Sequence, residues 1–168
     1  EYEIYCGIGG LRNVVIPDGV TSINDHAFQN CWSLESITIP DSVTSIGYSA
    51  FNGCIRLKNV TIPGSVTSMG GMTFYGCSSL ASVTIQEGVA SIASHAFTRC
   101  SSLTSITIPG SVKVIEYEAF DGCWRLTSVM MQYGVTEIGQ SAFNDCSSLT
   151  SVTIPNSVTK ISGGAFDG

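Results

Sequence analysis

Charged residues and histidine are scarce in this 168-residue sequence. Only 12% of the residues are charged, two are histidines, and the formal net charge is −6. Because phosphate binding needs a clustered basic face, this composition argues against nucleic acid as a partner. No apolar run reaches about 18 residues, so we expect no direct insertion into a membrane. Apolar residues make up 43% of the chain, which is typical of an ordered protein with one continuous core.

One short pattern instead recurs every 23 residues. Each unit contains Leu-x-x-Ile/Val-x-Ile, usually followed by proline, then Val-x-x-Ile, Ala-Phe and cysteine. All seven phenylalanines share one column of the repeat, and all five prolines share another. A fixed period of roughly 20–50 residues is typical of solenoids, in which each unit buries its apolar face against its neighbours.

The unit from Cys31 to Gly53 illustrates the coil that we expect. Ile37 and Ile39 alternate with polar residues, which predicts a strand with one buried face. Pro40 ends that strand because proline cannot donate to a sheet ladder. A second, very short extended segment follows, and one short helical turn is predicted around Phe51. Stacking of such coils predicts parallel sheets in which identical side chains form ladders.

The repeats define one elongated domain that spans residues 1–168. Its seven units are 8–30, 31–53, 54–76, 77–99, 100–122, 123–145 and 146–168. Residues 1–7 resemble the tail of an earlier repeat because Tyr5 falls in the phenylalanine column, and a short capping strand is the alternative. Solenoids usually need a polar capping repeat, and neither end has one. We therefore expect a piece of a longer array.

Six of the seven cysteines form a further column. They are Cys31, Cys54, Cys77, Cys100, Cys123 and Cys146, with Cys6 two positions off the column. Three interpretations are open: buried free thiols, disulfides between adjacent coils, and a metal site. Free thiols fit a stacked column best, since a linear ladder does not converge on one metal ion.

Motifs of the common enzyme classes are missing from the chain. It has no Gly-x-x-x-x-Gly-Lys-Ser/Thr loop, no His-Glu-x-x-His and no Gly-x-Ser-x-Gly. His26 and His95 are three repeats apart, about 14 Å at strand spacing, which is too far to share a proton or a metal. Glu116, Glu118 and Asp121 are interpreted as a solvated acidic face. We predict no catalytic residue, no cofactor and no metal.

The pattern resembles the BspA-like, treponemal-type class of leucine-rich repeats. The residues that carry the resemblance are Leu34-x-x-Ile37-x-Ile39-Pro40-x-x-Val43-x-x-Ile46-Gly47-x-x-Ala50-Phe51-x-x-Cys54. The match covers essentially the whole chain, with local departures such as Gln86 and Gln132 in place of proline. It implies a leucine-rich-repeat-like right-handed superhelix, mostly β, with a parallel sheet, a short second extended segment and one short helical turn per 23-residue repeat.

The resemblance also implies a function. Proteins of this class are typically large surface-exposed arrays of host-associated bacteria and some protists. We therefore expect a non-enzymatic adhesion module of a larger protein, located at the cell surface or outside the cell, which binds host surface or extracellular-matrix proteins. Two alternatives are a structural repeat that associates end to end into filaments or lattices, and ice binding through a threonine ladder.

Outward-facing strand positions are the candidate binding surface. In the first such column, Arg12, Glu35 and Lys58 alternate in charge, which favours pairing between coils. The next two columns are rich in hydroxyl and amide groups. The candidate binding residues in the three columns are Arg12, Asn13, Glu35, Ser36, Thr38, Lys58, Asn59, Thr61, Thr84, Thr107, Met130 and Thr153.

Two tryptophans interrupt the repeat directly after a cysteine. Trp32 and Trp124 lie beside a column that contains Arg56 and Arg125. Trp32 and Arg56 predict a cation–π pair across one coil spacing. Because tryptophan and arginine are enriched in binding hot spots, these four residues are further candidates for protein binding. Partial burial of the rings against a neighbouring loop is the alternative.

Overall fold

A computed structural model describes residues 10–168 of the protein. In this part of the chain each repeat contributes two short β-strands. In chain order the strands are β1 (Asn13–Val15), β2 (Ser22–Ile23), β3 (Ser36–Thr38), β4 (Ser45–Ile46), β5 (Asn59–Ile62), β6 (Ser68–Met69), β7 (Ser82–Ile85), β8 (Ser91–Ile92), β9 (Ser105–Ile108), β10 (Val114–Ile115), β11 (Ser128–Met131), β12 (Glu137–Ile138), β13 (Ser151–Thr153) and β14 (Lys160–Ile161). The expectations for residues 1–7, including the capping strand, lie outside the described residues.

The odd-numbered strands form the first wall of the solenoid, and the even-numbered strands form the second. Apart from one interruption in each wall, strands of successive repeats pair in parallel, and each residue lies opposite the one 23 positions later, as Val60 lies opposite Val83. On the second wall Ile46 likewise lies opposite Met69. Successive coils therefore lie over one another, which confirms the predicted parallel-sheet solenoid.

The third wall consists of tight turns and not of the predicted helical turns. The backbone N–H of Phe51 donates to Thr73 O in the next coil (2.8 Å), whereas the N–H of Asn52 donates back to Ser49 O (3.1 Å). Ser49 has a φ of 53°, and a left-handed residue cannot continue a right-handed helix. Alternate amides therefore join neighbouring coils. Within residues 10–168 no helix is long and apolar enough to cross a membrane.

The phenylalanine column forms a continuous stack along the core. Neighbouring ring centroids lie 5.1–5.4 Å apart, and the rings are within 11° of parallel. The stack runs from Phe28 to Phe166, and the rings between Phe51 and Phe120 are completely buried. Aromatic pairs gain energy beyond their buried area, so the stack adds cohesion between coils.

The cysteine column lies directly beside these rings. Five of its members are free and buried, namely Cys54, Cys77, Cys100, Cys123 and Cys146, as the free-thiol interpretation predicts for them. Each thiol donates to a phenylalanine carbonyl, as Cys54 Sγ does to Phe28 O at 3.2 Å. Cys31 is disulfide-bonded, and Cys6 lies outside the described residues.

Both sheets are interrupted at the repeat that spans residues 77–99. Strand β7 pairs with β5 but not with β9, and β8 pairs with β10 but not with β6. The N–H of Thr127 donates to Thr104 O (2.8 Å) and that of Ala81 to Lys58 O (2.9 Å), but the equivalent bond from Thr104 to Ala81 is not formed. A cleft of about 410 Å³ opens between β7 and β9. The third wall, called the turn wall below, and the phenylalanine stack are both continuous across this interruption.

Candidate binding surface

The predicted columns lie together on the outer face of the first wall. Strand alternation places their side chains outward, while the intervening residues, such as Val60 and Ile62, point into the core. Of the candidate residues in these columns, Glu35 and Ser36 are half-buried and the others are exposed. Sequence alternation therefore predicted the position of this surface, since a buried apolar column fixes the direction of its neighbours.

The hydroxyl groups of this face fall into two classes. At one edge Thr127 Oγ1 donates to Thr104 O (2.9 Å), and Thr150 Oγ1 donates to Thr127 O (3.2 Å). These hydroxyls bond successive coils to each other. No hydrogen bond within residues 10–168 uses the hydroxyls of the central column, which comprises Thr38, Thr61, Thr84, Thr107 and Thr153. The hydroxyls of the central column are therefore exposed and make no hydrogen bond to the described residues.

Apolar side chains interrupt the central column near both ends. Val15 is 74% exposed and Met130 is 53% exposed. Each occupies the position that threonine fills in the remaining repeats. The face is therefore amphipathic, with a hydroxyl-lined middle and apolar contacts on either side.

The amino-terminal end of the face carries the predicted alternation of charge. Lys58 Nζ lies 2.7 Å from Glu35 Oε2, and Arg12 Nη1 lies 4.0 Å from Glu35 Oε1. The hydrogen bond and charge of Lys58, followed by the charges of Arg12 and Arg56, lower the pKa of the Glu35 carboxyl. Three cations therefore surround one carboxylate on adjacent coils.

Both tryptophans are more than half exposed, Trp32 by 60% and Trp124 by 54%. Within residues 10–168 the predicted cation–π pair of Trp32 with Arg56 is not formed. Among the described residues, Arg99 lies over an aromatic ring, that of Tyr75, at 5.9 Å from its centroid.

Ile55 is a surface residue that the sequence reasoning missed. It is 45% exposed and occupies the same column as Trp32 in the next coil. The signal was present in the sequence, since the position after cysteine is polar in several repeats and apolar here.

The acidic residues of the turn wall each contact a different protein group. Glu116 Oε2 accepts hydrogen bonds from the N–H and the hydroxyl of Ser94 (3.0 and 2.9 Å). Glu118 Oε2 lies 3.3 Å from His95 Nδ1, and Asp121 accepts a hydrogen bond from an asparagine amide of the next coil (2.6 Å). In the described part of the chain, no three histidine, cysteine or acidic side chains are grouped to hold a metal ion.

Comparisons with known proteins agree with the repeat geometry. A family model described as "BspA type Leucine rich repeat region (6 copies)" matches residues 1–126 and, in an overlapping match, residues 71–168. A comparison with curated proteins finds no significant match.

Three solved structures illustrate the likeness to bacterial proteins. A leucine-rich repeat protein from Bacteroides ovatus is 32% identical with a TM-score of 0.82, and the match covers 90% of this chain and 39% of that one. The leucine-rich repeat protein of T. pallidum is 32% identical with a TM-score of 0.83, covering 89% and 72%. A leucine-rich cell surface protein from Faecalibacterium prausnitzii is 25% identical with a TM-score of 0.54, covering 91% and 60%.

The chain thus spans well under half of the Bacteroides protein that it resembles. The family match extends over the whole sequence, and the stacked coils of the structure have the same 23-residue period as the sequence pattern. This chain belongs to the BspA-type leucine-rich repeat family.

Proposed function

We propose that this chain is a non-enzymatic adhesion module of a larger cell-surface protein. It binds host surface or extracellular-matrix proteins through the outer face of the first wall. Support comes from its family and from a structural relative described as a cell surface protein. Leucine-rich repeats generally mediate contacts between proteins, and a long array adds avidity to each weak contact.

The observation that carries this proposal is the central threonine column. Its exposed hydroxyls have no partner among the described residues, whereas the edge column uses its hydroxyls to join the coils. Identical groups lie about 4.8 Å apart in paired strands, as Thr61 and Thr84 do in β5 and β7, so one extended protein surface can contact several coils at once. Such a surface suits a protein ligand better than a small molecule, which binds in enclosed pockets.

A substitution pair in the middle of the face tests the proposal. The double variant Thr84→Arg, Thr107→Arg places two bulky cations on the central column. The matched control is Gln29→Arg, Gln140→Arg, which adds the same charge at exposed positions of the turn wall. Capture of the wild-type chain by a panel of immobilised extracellular-matrix proteins is compared with capture of both variants.

We expect the face variant to lose about tenfold or more in affinity, which corresponds to about 1.4 kcal/mol, while the control retains wild-type capture. Circular dichroism melting verifies that both variants fold. Equal capture by the two variants would place the binding surface elsewhere on the molecule.

A further inference from the structure

We propose that the amino-terminal end of this face docks an acidic polypeptide segment that also carries an apolar side chain. The docking patch comprises Arg12, Trp32, Ile55, Arg56 and Lys58. This inference rests on the proposed function, because it assigns a partner chemistry to one part of the same binding surface.

The charge of the patch differs in sign from that of the molecule. It holds three of the seven lysine and arginine residues of the chain, whose formal net charge is −6. Glu35 is the carboxylate among them, and it bonds most closely to Lys58 at 2.7 Å. An acidic segment is therefore attracted to this end and repelled by the rest of the surface, which favours a single binding register.

The cations keep free donors for a partner. The side chains of Arg12 and Lys58 are 66% and 63% exposed. Arg12 approaches Glu35 only to 4.0 Å, and within residues 10–168 no hydrogen bond uses the guanidinium of Arg56. Guanidinium groups bind carboxylates through two parallel hydrogen bonds, so both arginines are suited to aspartate or glutamate side chains.

The apolar part of the patch is close to these charges along the chain, because Ile55 directly precedes Arg56 and Trp32 is three residues before Glu35. Trp32 and Ile55 occupy the same column in successive coils, about 4.8 Å apart at strand spacing. They are 60% and 45% exposed, so the pair presents an apolar surface at the corner of the first wall. A large aromatic next to arginine is the usual composition of a binding hot spot.

A protein segment fits this combination better than a nucleic acid does. Binding to nucleic acid grows with the number of neutralised phosphates, and three cations on an acidic protein supply few such contacts. A nucleic acid or a sulfated glycan would also leave Ile55 without an apolar partner. The patch therefore selects carboxylates together with an apolar side chain.

The chain provides its own control for this site. Trp124 and Arg125 repeat the Trp32 column and the Arg56 column in another coil, and Trp124 is similarly exposed (54%). In the coils on either side of Trp124, the column that contains Trp32 and Ile55 has serine. In the column that contains Lys58, the coil of Trp124 has Thr127. This second site has the same two residue types without the surrounding lysine and isoleucine, so Trp124 and Arg125, although candidates from the sequence, are not part of the docking patch proposed here.

The probe is a fluorescent 12-residue peptide in which glutamates surround two leucines. A second peptide has lysine in place of every glutamate. Binding to the full chain is measured by fluorescence anisotropy and located through the indole N–H signals of the two tryptophans in NMR spectra. Variants Trp32→Ala and Arg56→Glu are compared with Trp124→Ala and Arg125→Glu, and melting curves verify their folding.

We expect Trp32→Ala and Arg56→Glu each to weaken binding of the glutamate peptide by about tenfold, with changes below about twofold in the two controls. The indole signal of Trp32 shifts on binding and that of Trp124 does not. Equal losses at both sites, equal binding of the lysine peptide, or binding of heparin or single-stranded DNA without the glutamate peptide would each overturn the inference. If the glutamate peptide does not bind but Thr84→Arg, Thr107→Arg still abolishes capture of matrix proteins, this inference fails while the proposed function stands.

Discussion

Each phenylalanine ring from Phe51 to Phe143 contacts the rings of the coils on both sides of it. Phe97 is completely buried and lies 5.4 Å from Phe74 and 5.2 Å from Phe120. Phe166 contacts one neighbour, Phe143, and is only partly buried. The contribution of a ring to stability therefore depends on its place in the stack as well as on its size.

Truncation of a central ring tests this dependence. We predict that Phe97→Ala lowers the free energy of unfolding by about 3–5 kcal/mol, because it leaves a cavity and removes two stacking contacts. The control Phe166→Ala should cost clearly less. Urea unfolding of the two variants measures the difference, and similar costs would contradict the continuous stack.

Glutamine replaces proline at two positions of the repeat, and at both its side chain bonds to the preceding coil. Gln86 N–H donates to Ile62 O (3.1 Å), and its side-chain Oε1 accepts the N–H of Gly64 (3.1 Å). Gln132 makes the equivalent side-chain contact with Gly110 (3.3 Å). These departures from the repeat join neighbouring coils, which sequence comparison within the chain did not reveal because the partners lie in the preceding repeat.

Restoring the repeat consensus should therefore destabilise the protein. We predict that Gln86→Pro lowers the free energy of unfolding by about 1–3 kcal/mol, since it removes two hydrogen bonds. Thermal unfolding of this variant is compared with that of Gln29→Ala, an exposed glutamine outside the sheets. A stability equal to or above that of the wild type would show that these bonds contribute nothing.

The buried thiols make the free energy of unfolding depend on pH in the alkaline range. Burial raises the pKa of Cys100 and of Cys123, and raises the pKa of Cys146 to about 12, from an ordinary value of 9.0. Above pH 9 the unfolded chain releases protons that the folded chain retains. The contribution of these thiols to the free energy of unfolding is therefore complete below pH 9 and falls as the pH rises toward 12.

Removal of one thiol should reduce this pH dependence. We predict that the free energy of unfolding of Cys100→Ala falls less steeply above pH 9 than that of the wild type, by up to about 1.4 kcal/mol per pH unit. Urea unfolding at pH 8, 9.5 and 10.5 measures the slopes. Parallel slopes would mean that the Cys100 thiol ionises equally in both states.

Among the structural elements, the strands could be predicted and the turns could not. A two-residue alternation of apolar side chains identifies β5 and β7 directly, because burial on one face imposes it. The expected helical turn around Phe51 failed for a non-local reason. The N–H of Phe51 donates to Thr73 O in the next coil. Ser49 adopts a left-handed conformation, which a serine in the sequence does not predict.

The interruption between β7 and β9 likewise could not be predicted from the sequence. Strand β7 reads Ser-Val-Thr-Ile and β9 reads Ser-Ile-Thr-Ile, whereas β5 and β11, which are paired, depart further from this pattern. The difference lies in the hydrogen bonds between coils, where Thr104 N–H lacks the bond to Ala81 O that neighbouring repeats form. Residue patterns report which side chains are buried but not how closely two equivalent strands approach.

Hydrogen exchange tests this interruption. We predict that the amide of Thr104 exchanges at least about tenfold faster than the equivalent amide of Thr127, which donates to Thr104 O at 2.8 Å. Exchange is followed by NMR on the native protein at neutral pH. Equal protection of the two amides would show that the first sheet is continuous.

For the whole molecule, the 23-residue period determined the parallel walls and the position of the outward columns. It did not determine which arginine stacks on an aromatic ring, since Arg99 lies over Tyr75 while the predicted pair of Arg56 with Trp32 is not formed within the described residues.

The stacking of equivalent residues is most directly measured by disulfide trapping across the coils. Thr61 and Thr84 are partners in adjacent strands, a spacing of about 4.8 Å that a disulfide can bridge, whereas Thr61 and Thr107 are two coils apart. We predict that Thr61→Cys, Thr84→Cys forms a disulfide under mild oxidation and unfolds at a higher temperature, while Thr61→Cys, Thr107→Cys remains reduced. Efficient cross-linking of the second pair, or failure of the first, would contradict the stacked-coil structure.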